Sequence, residues 1–134
     1  MAIAVAIPIA SVCHAQSSKP VSDEALYFYK AIITEVYDGD TVTANIDLGF
    51  YTWLHDQRLR LYGINAPEVK GEEKVSGLRS RDFLRDKIAG KTVVIESIKD
   101  RKEKFGRYLA IIWLDGVNLN ELLVKEGYAK AQNY

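Results

Sequence analysis

The sequence predicts an α+β protein, a small closed barrel of five strands with one helix between the third and fourth strands and a short helix near the C-terminus. Three observations predict it. Five short β-rich runs are separated by turn signals. One long stretch with helical spacing falls between the third and fourth runs. The chain of 134 residues has room for one domain, with neither a repeat nor a linker inside 29–134.

Tyr29 to Tyr37 (YKAIITEVY) is β-rich and ends at Asp38-Gly39, a hairpin signal. Thr41 to Leu48 alternates Val42, Ala44, Ile46 and Leu48 against Thr43, Asn45 and Asp47, the pattern of a half-buried strand, and Gly49 breaks it. Trp53 to Ile64 reads as the third strand of a meander, with Leu59 and Leu61 set against Arg58, Arg60 and Tyr62, and Pro67 ends it. Glu72 to Ala89 is helical. Gly77, Ser80, Leu84 and Ile88 fall on one narrow arc with Phe83 beside it, and the two small residues suit close packing. Gly90 closes this helix. Thr92 to Ile98 is the fourth strand, Asp100 to Lys104 a charged loop, and Arg107 to Leu114 the fifth strand, which turns at Asp115-Gly116. Asn118 caps a short helix over Leu119 to Glu126, which stops at Gly127. This order suits a barrel of OB type. Trp53, Trp113, Tyr51 and Tyr62 read as core or barrel-wall residues, and His55 as a surface strand residue.

Composition narrows the class. The chain is 48% hydrophobic and 27% charged, which excludes wholesale disorder. Lys+Arg and Asp+Glu both number 18, so the total argues against a strongly basic nucleic-acid binder. The distribution differs from the total. Residues 58–107 hold 14 Lys/Arg and 8 Asp/Glu, and the rest holds 4 and 10. A local phosphate-binding face on a neutral protein is therefore possible, with a modest salt slope. One Cys forms no internal disulfide, and no Cys/His cluster has zinc spacing. At the N-terminus, Ala2 to Val12 is almost wholly apolar, and Cys13-His14-Ala15 places small residues for cleavage after Ala15. Residues 1–15 thus read as a secretory signal, the alternative being a buried element of the domain. Residues 16–28 read as a flexible lead-in, and 29–134 as the domain. The apolar run is too short for a membrane span. The expected product is a secreted or periplasmic monomer without stable membrane association, and the mature chain has no cysteine.

Three segments carry charge that a strand-and-turn reading does not require: Asp38-Gly39-Asp40-Thr41, Arg58 through Glu68, and Lys104-Phe105-Gly106-Arg107. Singly they have ordinary readings. Asp38-Gly39 is turn chemistry, Arg60 and Arg107 are solvated charges, and Glu68 is a surface carboxylate before a helix, where the dipole favours it. As an ordered set with DGDTV at 38–42, RLRLYGINAPE at 58–68, KFGR at 104–107 and NLNELLVKEGYAK at 118–130, the sequence resembles the staphylococcal (micrococcal) nuclease family from about Tyr29 to the C-terminus. The resemblance implies an OB-fold, calcium-dependent phosphodiesterase acting on DNA and RNA. It implies Ca²⁺ held by Asp40, by Asn65 where the best-studied members have an Asp, and by the backbone carbonyl of Ala66. Arg60 and Arg107 match the arginines that hold the scissile phosphate, and Glu68 the glutamate that positions or deprotonates the attacking water. Lys104, Phe105 and Tyr134 fall at substrate-binding positions. Water would attack in line and the 5′ oxygen leave, giving 3′-phosphate ends.

The chemistry fits these residue types. Arginine grips phosphate with a planar, permanently charged fork. Ca²⁺ seeks oxygen ligands, and the uncharged Asn65 should weaken its binding unless Asp38 or a water compensates. The competing reading is a binding-only OB module. Such a module needs basic grooves and stacking rings, but not Glu68 together with Arg60, Arg107 and Asp40, and all four are present.

Overall fold

In the computed structural model, which describes residues 2–6, 26–102 and 105–133, the chain runs β1 (Phe28–Asp38), β2 (Thr41–Asp47), β3 (Trp53–Leu61), β4 (Ile64–Asn65), α1 (Lys74–Ile88), β5 (Thr92–Lys102), β6 (Tyr108–Leu114), β7 (Val117–Asn118), α2 (Leu119–Lys125) and β8 (Lys130–Ala131). The cleavage position after Ala15, and Lys104 and Tyr134, lie outside the described residues. Residues 2–6 are exposed and carry no helix or strand.

The five long strands form the expected barrel. The order is β3-β2-β1-β5-β6, and a parallel pairing of β3 with β6 closes it. Alternation supplies the core. Ala31, Ile33 and Val36 of β1, Val42, Ala44 and Ile46 of β2, Leu59 and Leu61 of β3, Val93 and Ile95 of β5, and Ala110 and Ile112 of β6 are buried together. At one mouth of the barrel Tyr29, Ile46, Leu54, Leu59, Ile95 and Tyr108 line an apolar pocket of about 380 Å³ that carries no charged group.

The helices seat as their patterns predict. α1 buries Gly77, Ser80, Leu84 and Ile88, the arc read from the sequence, and α2 is capped by the Asn118 side chain, which accepts from the Glu121 amide at 3.1 Å. Three local expectations are corrected. The third strand does not run unbroken to Ile64; it turns at Tyr62-Gly63, Gly63 taking φ 77°, and β4 resumes beyond, where β8 pairs with it. The charged run 100–104 is not a loop throughout, because β5 continues to Lys102, paired with Tyr108. Tyr51 and Trp53 are not wall residues; Tyr51 is fully exposed and Trp53 is 38% exposed.

Candidate active site

The expected metal and catalytic residues among the described ones sit where strands end or loops begin at one rim. Asp40 occupies the β1–β2 turn, Arg60 lies near the end of β3, Asn65 is in β4, Ala66 and Glu68 follow in the loop to α1, and Arg107 immediately precedes β6. Closure of the barrel does the gathering. Because β3 pairs in parallel with β6, Arg60 opposite Leu109, the residue just before β6 is brought beside the end of β3. The β2–β3 ladder sets Thr41 opposite Arg60.

The Asp40 carboxylate is the centre of the resulting network. Its Oδ1 accepts from the Thr41 hydroxyl at 3.1 Å, and its Oδ2 accepts from the Ala66 amide at 2.7 Å. The Arg60 Nη2 lies 3.3 Å from that same Oδ2. Arg60 also donates through Nη1 to the Leu61 carbonyl at 2.9 Å and through Nη2 to the Asn65 amide oxygen at 3.4 Å. From the other side Arg107 donates through Nη1 to the Thr41 hydroxyl at 2.9 Å. Two guanidinium groups from different strands are thus tied to one buried carboxylate, one directly and one through Thr41. Arg60 is only 7% exposed, so it is not the solvated charge that strand alternation suggests; the 38–41 turn and the 65–66 segment cover it. Arg107 is half-buried, and its guanidinium lies 5.4 Å from the centre of the exposed Phe105 ring.

Helix α1 holds this rim in place through missing side chains. A Cβ on Gly39 would come within 2.7 Å of the Ala66 Cβ and 2.8 Å of the Ser80 Cβ. Gly39 therefore serves close approach rather than an unusual backbone angle. A Cβ on Gly77 would run into the Glu68 carbonyl. The Glu68 amide donates to the Glu73 carboxylate at 2.9 Å, so this loop is pinned at both faces, while the Glu68 side chain is exposed. Ser80 donates to the Tyr128 carbonyl at 2.6 Å, and the Tyr128 ring stacks on Phe83 at 4.2 Å, which docks the C-terminal segment on the same helix. Gly77→Ala is therefore expected to lower stability by about 1–3 kcal/mol, an overpacking cost, and to shift the Glu68 and Val69 amide resonances. A variant that melts with the parent and leaves those resonances in place would show that the loop is not seated on the helix.

Three contributors do more than the sequence assigned them, Asp38 having been read as turn chemistry and as an auxiliary calcium ligand. Thr41 links the two arginines through Asp40; its position inside the DGDT run was the available signal. Asn120 is buried, donates to the Tyr62 and Ala110 carbonyls at 2.9 and 3.0 Å and accepts from the Ile112 amide at 3.1 Å, fixing α2 to the strand that carries Arg107. Asp38 is the third. It is 7% exposed, and one of its oxygens accepts from the Asp40 amide at 3.0 Å. Burial, and then the neighbouring Asp40 charge, push its carboxyl from 3.8 up to about 7, with Glu68 adding to the push.

This shift has a signed consequence. Between pH 4 and 7 the folded protein keeps a proton on Asp38 that the unfolded chain has already released, so stability due to this group falls as pH rises through that window. Below it the penalty is absent, and above it the penalty is complete. Asp38→Asn keeps the acceptor for the Asp40 amide and removes the charge. In EGTA it should raise stability at pH 8 by up to about 4 kcal/mol, given about 1.4 kcal/mol per pH unit of displacement, and by little at pH 4. Identical melting curves of variant and parent at pH 8 would show that Asp38 carries no such penalty.

Among the described residues, no group of three or more His, Cys, Asp and Glu side chains is arranged to hold a metal ion. The donors present are all oxygens: the Asp38 and Asp40 carboxylates, the exposed Asn65 amide and the Ala66 carbonyl. Arg60 faces Asp40, and Asp38 is pushed up mainly by its burial, with the Asp40 charge adding to the push. That donor chemistry fits a hard cation and does not fit a thiolate- or imidazole-seeking one.

Comparison with known proteins agrees with the geometry. The chain is 37% identical over 109 residues to a thermonuclease of Staphylococcus hyicus and 34% identical over 106 residues to one of Staphylococcus intermedius. These alignments take in 79% and 77% of this chain, which spans 60% of the length of each relative. Residues 58–134, which hold Arg60, Glu68 and Arg107, match the staphylococcal nuclease homologue family. With the barrel, the rim network and this match in agreement, the chain belongs to the family of staphylococcal nuclease homologues.

Proposed function

We propose that the domain over 29–134 is a calcium-dependent nuclease that hydrolyses phosphodiester bonds in DNA or RNA, acting as a secreted or periplasmic monomer. The observation that carries this reading is the joining of Arg60 and Arg107 around Asp40 through Thr41. Two cations fixed at one rim, with the exposed Glu68 carboxylate on the loop that follows Ala66, suit what phosphodiester hydrolysis demands. The printed names of the two relatives, both thermonucleases, point the same way. Among the described residues no helix is long and apolar enough to cross a membrane.

Charge builds on the non-bridging oxygens as water adds to phosphorus. Arg60 and Arg107, held in advance by Asp40, Leu61, Asn65 and Thr41, offer donors to those oxygens without reorganising. Glu68, exposed on a pinned loop, takes the proton of the attacking water. Phe105, its ring against Arg107, offers a stacking face to the adjoining base, with Lys104 and Tyr134 assigned to the same substrate. Asp40, Asn65 and the Ala66 carbonyl, with Asp38 near, would hold Ca²⁺. When bound, the ion supplies charge neutralisation at the phosphate and withdraws density from it. The 5′ oxygen leaves, so the products end in 3′-phosphate and 5′-hydroxyl.

Denatured DNA incubated with the protein should be cut in Ca²⁺ and at least about 100-fold more slowly in EGTA, an effect of the size expected for loss of one electrostatic stabiliser. Undiminished cutting in EGTA would remove calcium from the reading.

A further inference from the structure

We infer that the outward face of β2 and β3, running from Arg60 to the Phe50-Tyr51 hairpin tip, is a track for single-stranded nucleic acid leading away from the scissile phosphate; this rests on the nuclease reading above. Register places the residues on one face. On the β2–β3 ladder Val42 pairs with Leu59, Ala44 with Gln57 and Ile46 with Leu54, and these β2 residues are all buried in the barrel. The intervening pairs, Thr41 with Arg60, Thr43 with Arg58 and Asp47 with Trp53, therefore face outward. One residue of β2 between Ala44 and Ile46, Asn45, is matched by two of β3 between Leu54 and Gln57, His55 and Asp56, so β3 carries one extra residue. Asp56 takes φ 54° there, and its amide donates to the Asn45 side chain at 2.9 Å. The bulge turns Trp53 and His55 to the same side as Arg58 and Arg60.

The groups on that face are rings toward the tip and cations toward the rim. The Trp53 and His55 rings stack, with centres 6.4 Å apart, and the Arg58 guanidinium lies 5.8 Å from the centre of the Tyr37 ring. At the tip Phe50 and Tyr51 are fully exposed and hold φ values of 52° and 58°, a conformation that Asn or Gly adopts at lower cost. Two large rings are thus kept in strained backbone and wholly in water, which no packing need explains. Trp53 lies seven residues from Arg60 along the strand, roughly 20 Å at about 3.3 Å per residue.

The occupant follows from these rings and cations. Every base has a face that stacks on an aromatic ring, and OB barrels take oligonucleotides across the second and third strands. The face is continuous with Arg60, the group assigned to the phosphate. Asp47 is engaged with the Gly49 amide at 2.8 Å, and Glu35 pairs with Thr43 on the same side, so the face is not uniformly basic. Stacking, rather than charge, carries the added affinity, and the gain with oligonucleotide length should depend little on salt. A lipid surface would engage the tip alone.

Fluorescence anisotropy of the whole chain in EGTA, with oligothymidylates of 3 and 12 residues, tests this. The protein should bind the 12-mer at least tenfold tighter than the 3-mer. Trp53→Ala and Tyr51→Ser should each weaken 12-mer binding about tenfold, the usual effect of losing one stacking ring, with far less change for the 3-mer. Should Trp53→Ala unfold, Tyr51→Ser decides alone, because its ring is wholly exposed. Variants that keep the parent's 12-mer affinity overturn the track. So does loss of binding to phosphatidylserine vesicles without loss of 12-mer binding, which would assign the tip to lipid. A parent protein that cuts denatured DNA but shows no length preference overturns the track alone. A parent that neither binds nor cuts overturns the nuclease reading with it.

Discussion

Replacing Arg60 by Lys is expected to slow hydrolysis of denatured DNA by about 10²–10³-fold while leaving the barrel folded. Lys keeps the charge opposite Asp40 but loses the planar fork that reaches the Leu61 carbonyl and Asn65 together and that, in the proposed reaction, holds the phosphate. The choice of Lys follows from burial. Arg60→Ala would leave Asp40 buried without its cation, and breaking a buried pair from one side costs about 3–5 kcal/mol. Loss of activity in Arg60→Ala would then mix chemistry with unfolding. In Arg60→Lys, initial rates and a melting curve taken on the same sample separate the two. A rate within about threefold of the parent would remove Arg60 from the reaction.

Glu68→Gln separates the proton-transfer role from folding more cleanly. The side chain is exposed, and the loop is pinned by its backbone, through the Glu73 carboxylate and the close approach of Gly77. Stability should hold, and the rate should fall by about 10²–10⁴-fold, the range for losing a general base. A variant with full activity assigns the base elsewhere.

Much of the fold was legible because it rests on local periods. Alternation in β2, the small arc Gly77–Ser80–Leu84–Ile88, and the Asn118 cap all reappear in three dimensions. What alternation could not supply was its own interruption. Counting back by twos from Leu59 and Leu61 puts Trp53 inside the barrel, but the extra residue at Asp56 reverses the parity and turns it out. A bulge of this kind leaves no Gly or Pro to announce it. The motifs singled out Asp40, Arg60 and Arg107, while strand alternation alone left Arg60 on a solvated face. Its burial depends on the 65–66 segment folding back over the end of its own strand, where the Ala66 amide meets Asp40. The pairing of β3 with β6 is likewise a contact between distant segments, and it is what unites the two arginines. Asp38 looked like turn chemistry, and it does accept from the Asp40 amide, but its displaced titration comes from burial that no dipeptide reveals.

In the proposed reaction water adds to a phosphodiester at this rim and the 5′ oxygen leaves. Digestion of denatured DNA in ¹⁸O-water with Ca²⁺, followed by mass spectrometry of the fragments, follows both oxygens. Expected are 3′-phosphate ends each carrying one ¹⁸O and unlabelled 5′-hydroxyl ends, with both signals lost in Glu68→Gln. Label in 5′-phosphate ends, or fragments produced equally by the variant, would overturn the proposed reaction.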